Sequence, residues 1–242
     1  VAASIHARPE EIFFTSGGTE SDNWALRGVA AAKGSKGRHI ITSRIEHPAV
    51  LHTAQELEKS GFRVTYLDVD ADGVVSLSQL KEALSGETIL VSIMAANNEI
   101  GTIQPIPEIG RIVKENSKAA LHVDAVQAAG AVEISLEKWK DVDLLSISGH
   151  KFYGPKGVGV LYVRRGTRIS AVATGGSQEA KKRAGTENVP GAVGLAKALE
   201  LAVAEMPAES ARQAGLRDHL IDRVLAEVPG ARLNGHRMNR LP

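Results

Sequence analysis

The 242-residue sequence contains no cysteine. That excludes disulfides, thiolate metal sites and a cysteine nucleophile within the chain. No apolar run approaches the roughly 18 to 20 residues of a membrane span. The opening residues, VAASIHAR, lack the apolar stretch of a secretory signal. An excess of one charge sign is also missing: 29 Lys and Arg against 28 Asp and Glu leave a formal net charge of +1. Neither nucleic acid nor a membrane is therefore an expected partner. There is no internal repeat, low-complexity tract or disordered linker. A cytoplasmic location is the default that remains.

What is present is ordinary for a globular protein, with 43% hydrophobic and 24% charged residues, enough to bury a sizeable core. Short β-rich runs at residues 12–15, 39–43, 63–67, 89–95, 121–124, 144–148 and 158–163 alternate with helical patterns at 19–33, 48–60, 77–84 and 106–116. Several runs, such as ILVSIM at 89–94, are continuously apolar, as suits strands covered on both faces. The expected fold is α/β, with a mainly parallel seven-stranded sheet and helices on both faces. Beyond Gly175, residues 189–205 and 208–227 read as two long helices separated near Met206-Pro207. The missing initiator Met, and the new segment that starts near Arg232-Leu233-Asn234-Gly235, lead to the expectation of a chain cut from a longer one.

Ligands of open α/β sheets collect at the carboxyl ends of strands, and four polar clusters fall there. In TSGGTES at 15–21, paired glycines and a helix N-terminus can receive an anion, with Thr19 adding a hydroxyl. The plainer alternative is a helix start capped by Thr19 or Ser16. In LHVDAVQ at 121–127 an apolar strand ends in Asp124, a carboxylate placed to pair with a buried cationic nitrogen or to cap the next turn. In LLSISGHK at 144–151, followed by GPKGVG at 154–159, Lys151 lies just past a buried strand. Partial desolvation there would favour the neutral amine that imine formation needs. In AANNEIG at 95–101, consecutive amides follow an apolar strand, and an Asn in a left-handed turn is the structural alternative.

Two patterns point elsewhere and are set aside. Asp68-Val69-Asp70-Ala71-Asp72-Gly73 imitates the start of a calcium loop, but its twelfth position is Gln79 and no helix precedes it, so a surface turn is expected. The eight histidines show no metal-ligand spacing such as His-Glu-x-x-His, and no metal site is expected.

Together the motifs TSGGTESDN (15–23), EHPAV (46–50), VSIMAANNEIG (91–101), HVDAVQ (122–127), SGHKFYGPKG (148–157) and RAGTENVPG (183–191) resemble cysteine desulfurases of the NifS/IscS type, in the class V aminotransferase group of fold-type I pyridoxal 5'-phosphate (PLP) enzymes. Six motifs in the family's order and spacing make the resemblance specific. It implies that Lys151 binds the cofactor as an imine and later moves protons. Asp124 would hold the pyridine nitrogen protonated, His47 would stack on the ring and assist proton transfer, and Gln127 and Asn98 would hydrogen-bond around the ring oxygen and the substrate-proximal face. Gly18, Thr19, Ser148 and His150 would bind the phosphate, and Thr186 would reach the phosphate of a neighbouring subunit, which implies a homodimer with shared sites. L-cysteine would be the substrate, converted to L-alanine, with the sulfur passed to an acceptor or scaffold protein for iron–sulfur cluster assembly or other sulfur carriers. Residues 1–206 would form the PLP-binding large domain and 207–242 the start of a smaller one.

The sequence departs from the family pattern in one respect that bears on activity. The persulfide-forming cysteine and the arginine for the substrate carboxylate lie, in such enzymes, C-terminal to everything present here. The chain is thus expected to be incomplete for sulfur transfer. Another class V enzyme, such as a selenocysteine lyase or an aminotransferase, shares the lysine and the aspartate. A non-catalytic dimerisation module that keeps the fold is the alternative outside enzymology.

Overall fold

The computed structural model describes residues 1–242. Strands β1 (Ile12–Thr15), β2 (His39–Ser43), β3 (Arg63–Leu67), β4 (Thr88–Met94), β5 (Ala120–Asp124), β6 (Leu144–Ser148) and β7 (Gly159–Val163) form one sheet in the order β1-β7-β6-β5-β4-β2-β3. The four pairings from β3 to β6 are parallel, while β7 runs antiparallel to both β6 and β1. Two antiparallel steps in succession bring β1 back into the direction of the parallel set. Hence β1, β2, β4, β5 and β6 all end at one edge of the sheet, where an open α/β fold places its ligands.

Helices α1 (Gly18–Lys33), α2 (Pro48–Lys59), α3 (Leu77–Ala83) and α4 (Ile106–Asn116) follow, with a short turn α5 (Gln178–Lys181) and the long α6 (Val189–Glu227). They cover the sheet on both sides. On one side α1 and α2 enclose Phe13, Trp24, Ile40, Leu90, Leu144 and Leu161. On the other, α3, α4 and the start of α6 cover a larger core that includes Ile41, Ile93, Val123, Ile147 and Leu195. The period-2 alternation of a strand separates these two sets. In β5, Leu121 and Val123 join the larger core, and Ala120 joins the smaller one. His122 and Asp124 therefore share Ala120's face, beneath α1. Each fully buried Leu or Ile contributes roughly 1.5–3 kcal/mol, which fixes the strand register against slippage.

The expected α/β class and mainly parallel seven-stranded sheet are found, with strand bounds moved by at most a residue. One expectation fails. The two helices separated near Met206-Pro207 are a single 39-residue helix with Pro207 inside it. A proline removes one i→i−4 hydrogen bond and costs about 3 kcal/mol. The helix continues because strong helix formers flank the position and because both flanks are anchored. Leu195 and Leu199 are buried before it, and Ser210 Oγ donates to the Ala131 carbonyl after it, at 2.9 Å. After α6 the chain returns to the sheet edge, where Ile103 N–H donates to the Asn239 carbonyl at 3.0 Å.

Candidate active site

A cavity of about 420 Å³ opens at the edge where the parallel strands end. Nine of the ten residues singled out from the sequence line it: Gly18, Thr19, His47, Asn98, Asp124, Gln127, Ser148, His150 and Lys151, joined by Asp22, Met94 and Val126. The turns after β1, β2, β4, β5 and β6 each supply part of the wall. Thr186 does not line this cavity. It is exposed on the segment between α5 and α6.

The corner beside α1 is built to receive an anion. Gly17 precedes the helix with φ +149° and ψ −179°, a backbone region that essentially only glycine occupies. Neither Thr19 nor Ser16 caps the helix, contrary to the plainer reading, because the N-cap position is Gly17, which has no side chain to cap with. Thr15 Oγ1 turns instead to the Gly17 carbonyl and Ser21, and Glu20 accepts from Ser16 N–H at 2.7 Å. The first N–H groups of α1 thus have no capping side chain, and the helix dipole favours negative charge there. Gly18 has no room to be anything else: a Cβ would meet Val126 Cγ2 at 2.6 Å. On the opposite wall Ser148 Oγ lies 3.0 Å from His150 Nδ1. Partial burial, with Lys151 and Lys156 nearby, lowers the His150 imidazole from its ordinary value.

Asp124 closes the floor. Both sequence readings of it hold at once, since Oδ1 caps the next turn by accepting Val126 N–H at 2.9 Å, while the residue also lines the cavity. Burial pushes its carboxyl up, opposed by the Val126 N–H and by the positive influence of His47 and Lys151. Such a carboxylate lacks a cationic partner of its own and would be stabilised by one. His47 is the N-cap of α2, and its Nδ1 accepts Ala49 N–H at 3.1 Å. The neutral ring therefore carries its proton on Nε2.

Lys151 stands on the 3-10 turn Gly149–Phe152 directly after β6, closed by Tyr153 with a left-handed φ of 64°. The expected partial desolvation is not supplied by these residues, because the turn carries Lys151 out to the mouth, where it is exposed. Asn97 and Asn98 divide their tasks. Asn97 is buried and fully paired, donating to the Ile45 carbonyl and accepting Glu99 and Ile100 N–H, whereas Asn98 faces the cavity. The left-handed position of that turn is Gly101, φ +76°, rather than an Asn. Asp70 folds the calcium-like stretch into a surface turn by accepting Asp72 and Val74 N–H at 2.9 Å each.

Two buried acids inside the quoted motifs received no role from the sequence. Asp22 is 1% exposed and Glu46 4%. Burial, opposed by hydrogen bonds from Ser43 and the Met94 N–H, pushes Glu46 up to about 8. Burial and the neighbouring Asp124 raise Asp22 well above its ordinary range. A charged residue on the buried stripe of α1, alongside Gly18, Ala25 and Val29, was the available signal for Asp22.

Sheet, cavity and the lysine–aspartate pair define the architecture of a fold-type I PLP enzyme. The chain belongs to the family described as aminotransferase class V, which it matches over residues 1–242. It is 55% identical over 244 residues to the cysteine desulfurase IscS of Clostridium botulinum (strain Hall), covering 100% of this chain and 61% of that protein. It is 58% identical over 240 residues to the cysteine desulfurase IscS of Methanosarcina thermophila, covering 99% and 59%. The solved structure of a NifS-like protein superposes with a TM-score of 0.91 at 49% identity, over 93% of this chain and 62% of that one. The chain thus spans about three-fifths of the length of the curated relatives it matches.

The cofactor of this family is PLP, and the donor set fits it. The α1 N-terminus with Ser148 and His150 suits a phosphate, the raised carboxyl of Asp124 suits a protonated ring nitrogen, and the Lys151 amine suits a carbonyl carbon.

Proposed function

We propose that this chain is the cofactor-binding part of a PLP-dependent cysteine desulfurase, an enzyme that converts L-cysteine to L-alanine and passes the sulfur to an acceptor. The observation that carries this reading is the meeting of Lys151, Asp124 and His47 with an anion-receiving corner on one cavity. The desulfurase names of the relatives at 55% and 58% identity support it. When bound, PLP supplies an electron sink for charge that develops on the substrate's α-carbon.

The chain's own residues then have distinct tasks. Lys151 would hold the cofactor through Nζ and would move protons with that nitrogen. Asp124 keeps the ring nitrogen protonated. His47 covers the ring and offers Nε2–H as a donor. Gln127 and Asn98 hydrogen-bond around the ring oxygen, and Gly18, Thr19, Ser148 and His150 take the phosphate. Thr186, exposed and outside its own cavity, is assigned to the phosphate of a second subunit in a homodimer with shared sites. These 242 residues hold no thiol, so the sulfur-accepting cysteine is assigned to residues other than these.

Residues 1–206 are assigned to the large cofactor domain and 207–242 to the start of the small one, with α6 running through the boundary. No helix is long and apolar enough to cross a membrane. A cytoplasmic enzyme that delivers sulfur to an acceptor or scaffold protein for iron–sulfur assembly is the setting this reading implies.

The test is cofactor capture. Mixing the protein with PLP should give an absorption band at the edge of the visible. Borohydride should then fix the cofactor, and peptide mapping should find it on Lys151. A normal holo spectrum in Lys151→Ala would overturn the assignment of the lysine. Amino-group transfer from L-cysteine to a keto acid by the holoprotein would replace the desulfurase reading by an aminotransferase.

A further inference from the structure

Beneath the cavity floor lies a polar seam that the reading above does not use. His122 sits on β5 two residues before Asp124 and is completely buried. Its Nδ1 is 2.8 Å from Ser92 Oγ and its Nε2 is 2.9 Å from Ser146 Oγ. Asp22, reaching down from α1, places Oδ1 3.6 Å from the same Nε2. That oxygen is buried and has no hydrogen-bond partner. Asp22 also lines the cavity floor beside Asp124. Seam and cavity therefore share one wall, with Asp22 belonging to both.

A carboxylate anion buried with an orphaned oxygen costs several kcal/mol, and a second anion beside Asp124 costs more. Transfer of the proton to His122 is not the remedy, because burial pushes that imidazole down to about 3. Ser92 and Ser146 pair both nitrogens of the His122 ring, so a neutral imidazole is fully satisfied there without taking a proton from Asp22. The titratable groups bearing on Asp22 are His122 and Asp124 from β5 and Glu46 from the turn after β2. Strands β4 and β6 bring Ser92, Met94 and Ser146 to this place, and β7 offers the Val160 carbonyl engaged by Ser21. His47 and Lys151 bear on Asp124.

We propose that Asp22 is a positioning residue for Asp124, a neutral carboxylic acid in the floor whose Ser146–His122–Ser92 support leaves Asp124 as the one charged carboxylate available to the cofactor's ring nitrogen. This rests on the PLP reading and deepens it. The ring nitrogen gains a full counter-charge because the second acid gives none. Deprotonating Asp22 would set two like charges against each other and loosen the hold on the cofactor.

The test compares the unmodified protein with Asp22→Asn and Asp22→Ala. In the infrared, the apoprotein should show a protonated carboxylic-acid C=O band that Asp22→Asn removes. PLP affinity, followed by absorption, should fall at least tenfold in Asp22→Ala and be restored by Asp22→Asn. As pH rises, the unmodified protein should lose PLP affinity in a step that Asp22→Asn lacks, a difference that a purely structural role would not produce. An ionised Asp22 at neutral pH, or the same pH step in Asp22→Asn, overturns the proposal. Should Asp22→Ala fail to fold, the infrared band and the pH step still decide. Absence of any PLP uptake by the unmodified protein would overturn the cofactor reading and this proposal together. It is distinguishable from failure of the proposal alone, in which PLP binds and the Asp22 band is missing.

Discussion

The Ala49 N–H donates to His47 Nδ1 at 3.1 Å, and this backbone contact selects the imidazole tautomer. A ring whose Nδ1 accepts a hydrogen bond keeps its proton on Nε2. Nitrogen-15 NMR of the apoprotein should therefore show His47 as the Nε2–H form. In the proposed enzyme, His47 would then act as a donor over the ring and leave proton abstraction to Lys151. A predominant Nδ1–H tautomer would sink that division of labour. Replacing His47 by Ala should lower turnover by about 10²–10⁴-fold if the ring takes part in proton transfer.

Gly18 is where the cavity wall is closest to contact. A Cβ there would lie 2.6 Å from Val126 Cγ2, and overpacking of this kind costs typically 1–3 kcal/mol. Gly18→Ala should destabilise the fold by about that amount, measured by urea unfolding, and should weaken PLP binding by moving the α1 N-terminus away from the anion corner. Gly18→Ala combined with Val126→Ala should recover much of both. If the pair shows no recovery, crowding is not the cause.

Stability should fall as the pH is raised from neutrality toward 8. Glu46 is pushed by burial from an ordinary 4.5 up to about 8. Between those values the native state keeps a proton that the unfolded chain has lost, so stability declines with rising pH, by about 1.4 kcal/mol per pH unit for a fully titrating group. His122 and His39 act in the opposite sense, since burial lowers them from 6.5 to about 3 and about 4. They weaken the fold as pH drops below 6.5 and contribute nothing above it. The window between 6.5 and 8 thus isolates the buried acids. Urea midpoints measured across it should slope downward, and Glu46→Gln should flatten the slope. An unchanged slope in that variant would remove Glu46 from the account.

Most of the sheet was legible in the sequence because its strands are buried on both sides and therefore continuously apolar, as at 89–94. The motif residues were legible because they sit immediately after those strands, where sheet geometry gathers them. Pro207 misled because a local rule, that proline ends helices, was overridden by anchoring at Leu199 and Ser210 that only the tertiary fold provides. Lys151 misled in the opposite way, since adjacency to a buried strand did not carry burial across a 3-10 turn. Asp22 and Glu46 were passed over because charged residues are normally solvated, and their partners His122, Ser43 and Met94 are distant or inconspicuous along the chain.

The two-sided burial of β5 ties the chemistry to the strand's phase. Odd-numbered Leu121 and Val123 serve one core, while even-numbered His122 and Asp124 serve the other face. Adding or deleting one residue upstream in the strand would turn the acid and the imidazole into oil and the two aliphatic side chains into the site floor. Substitutions in β5 can be sampled one at a time, but a change in its length cannot be made without exchanging its two faces.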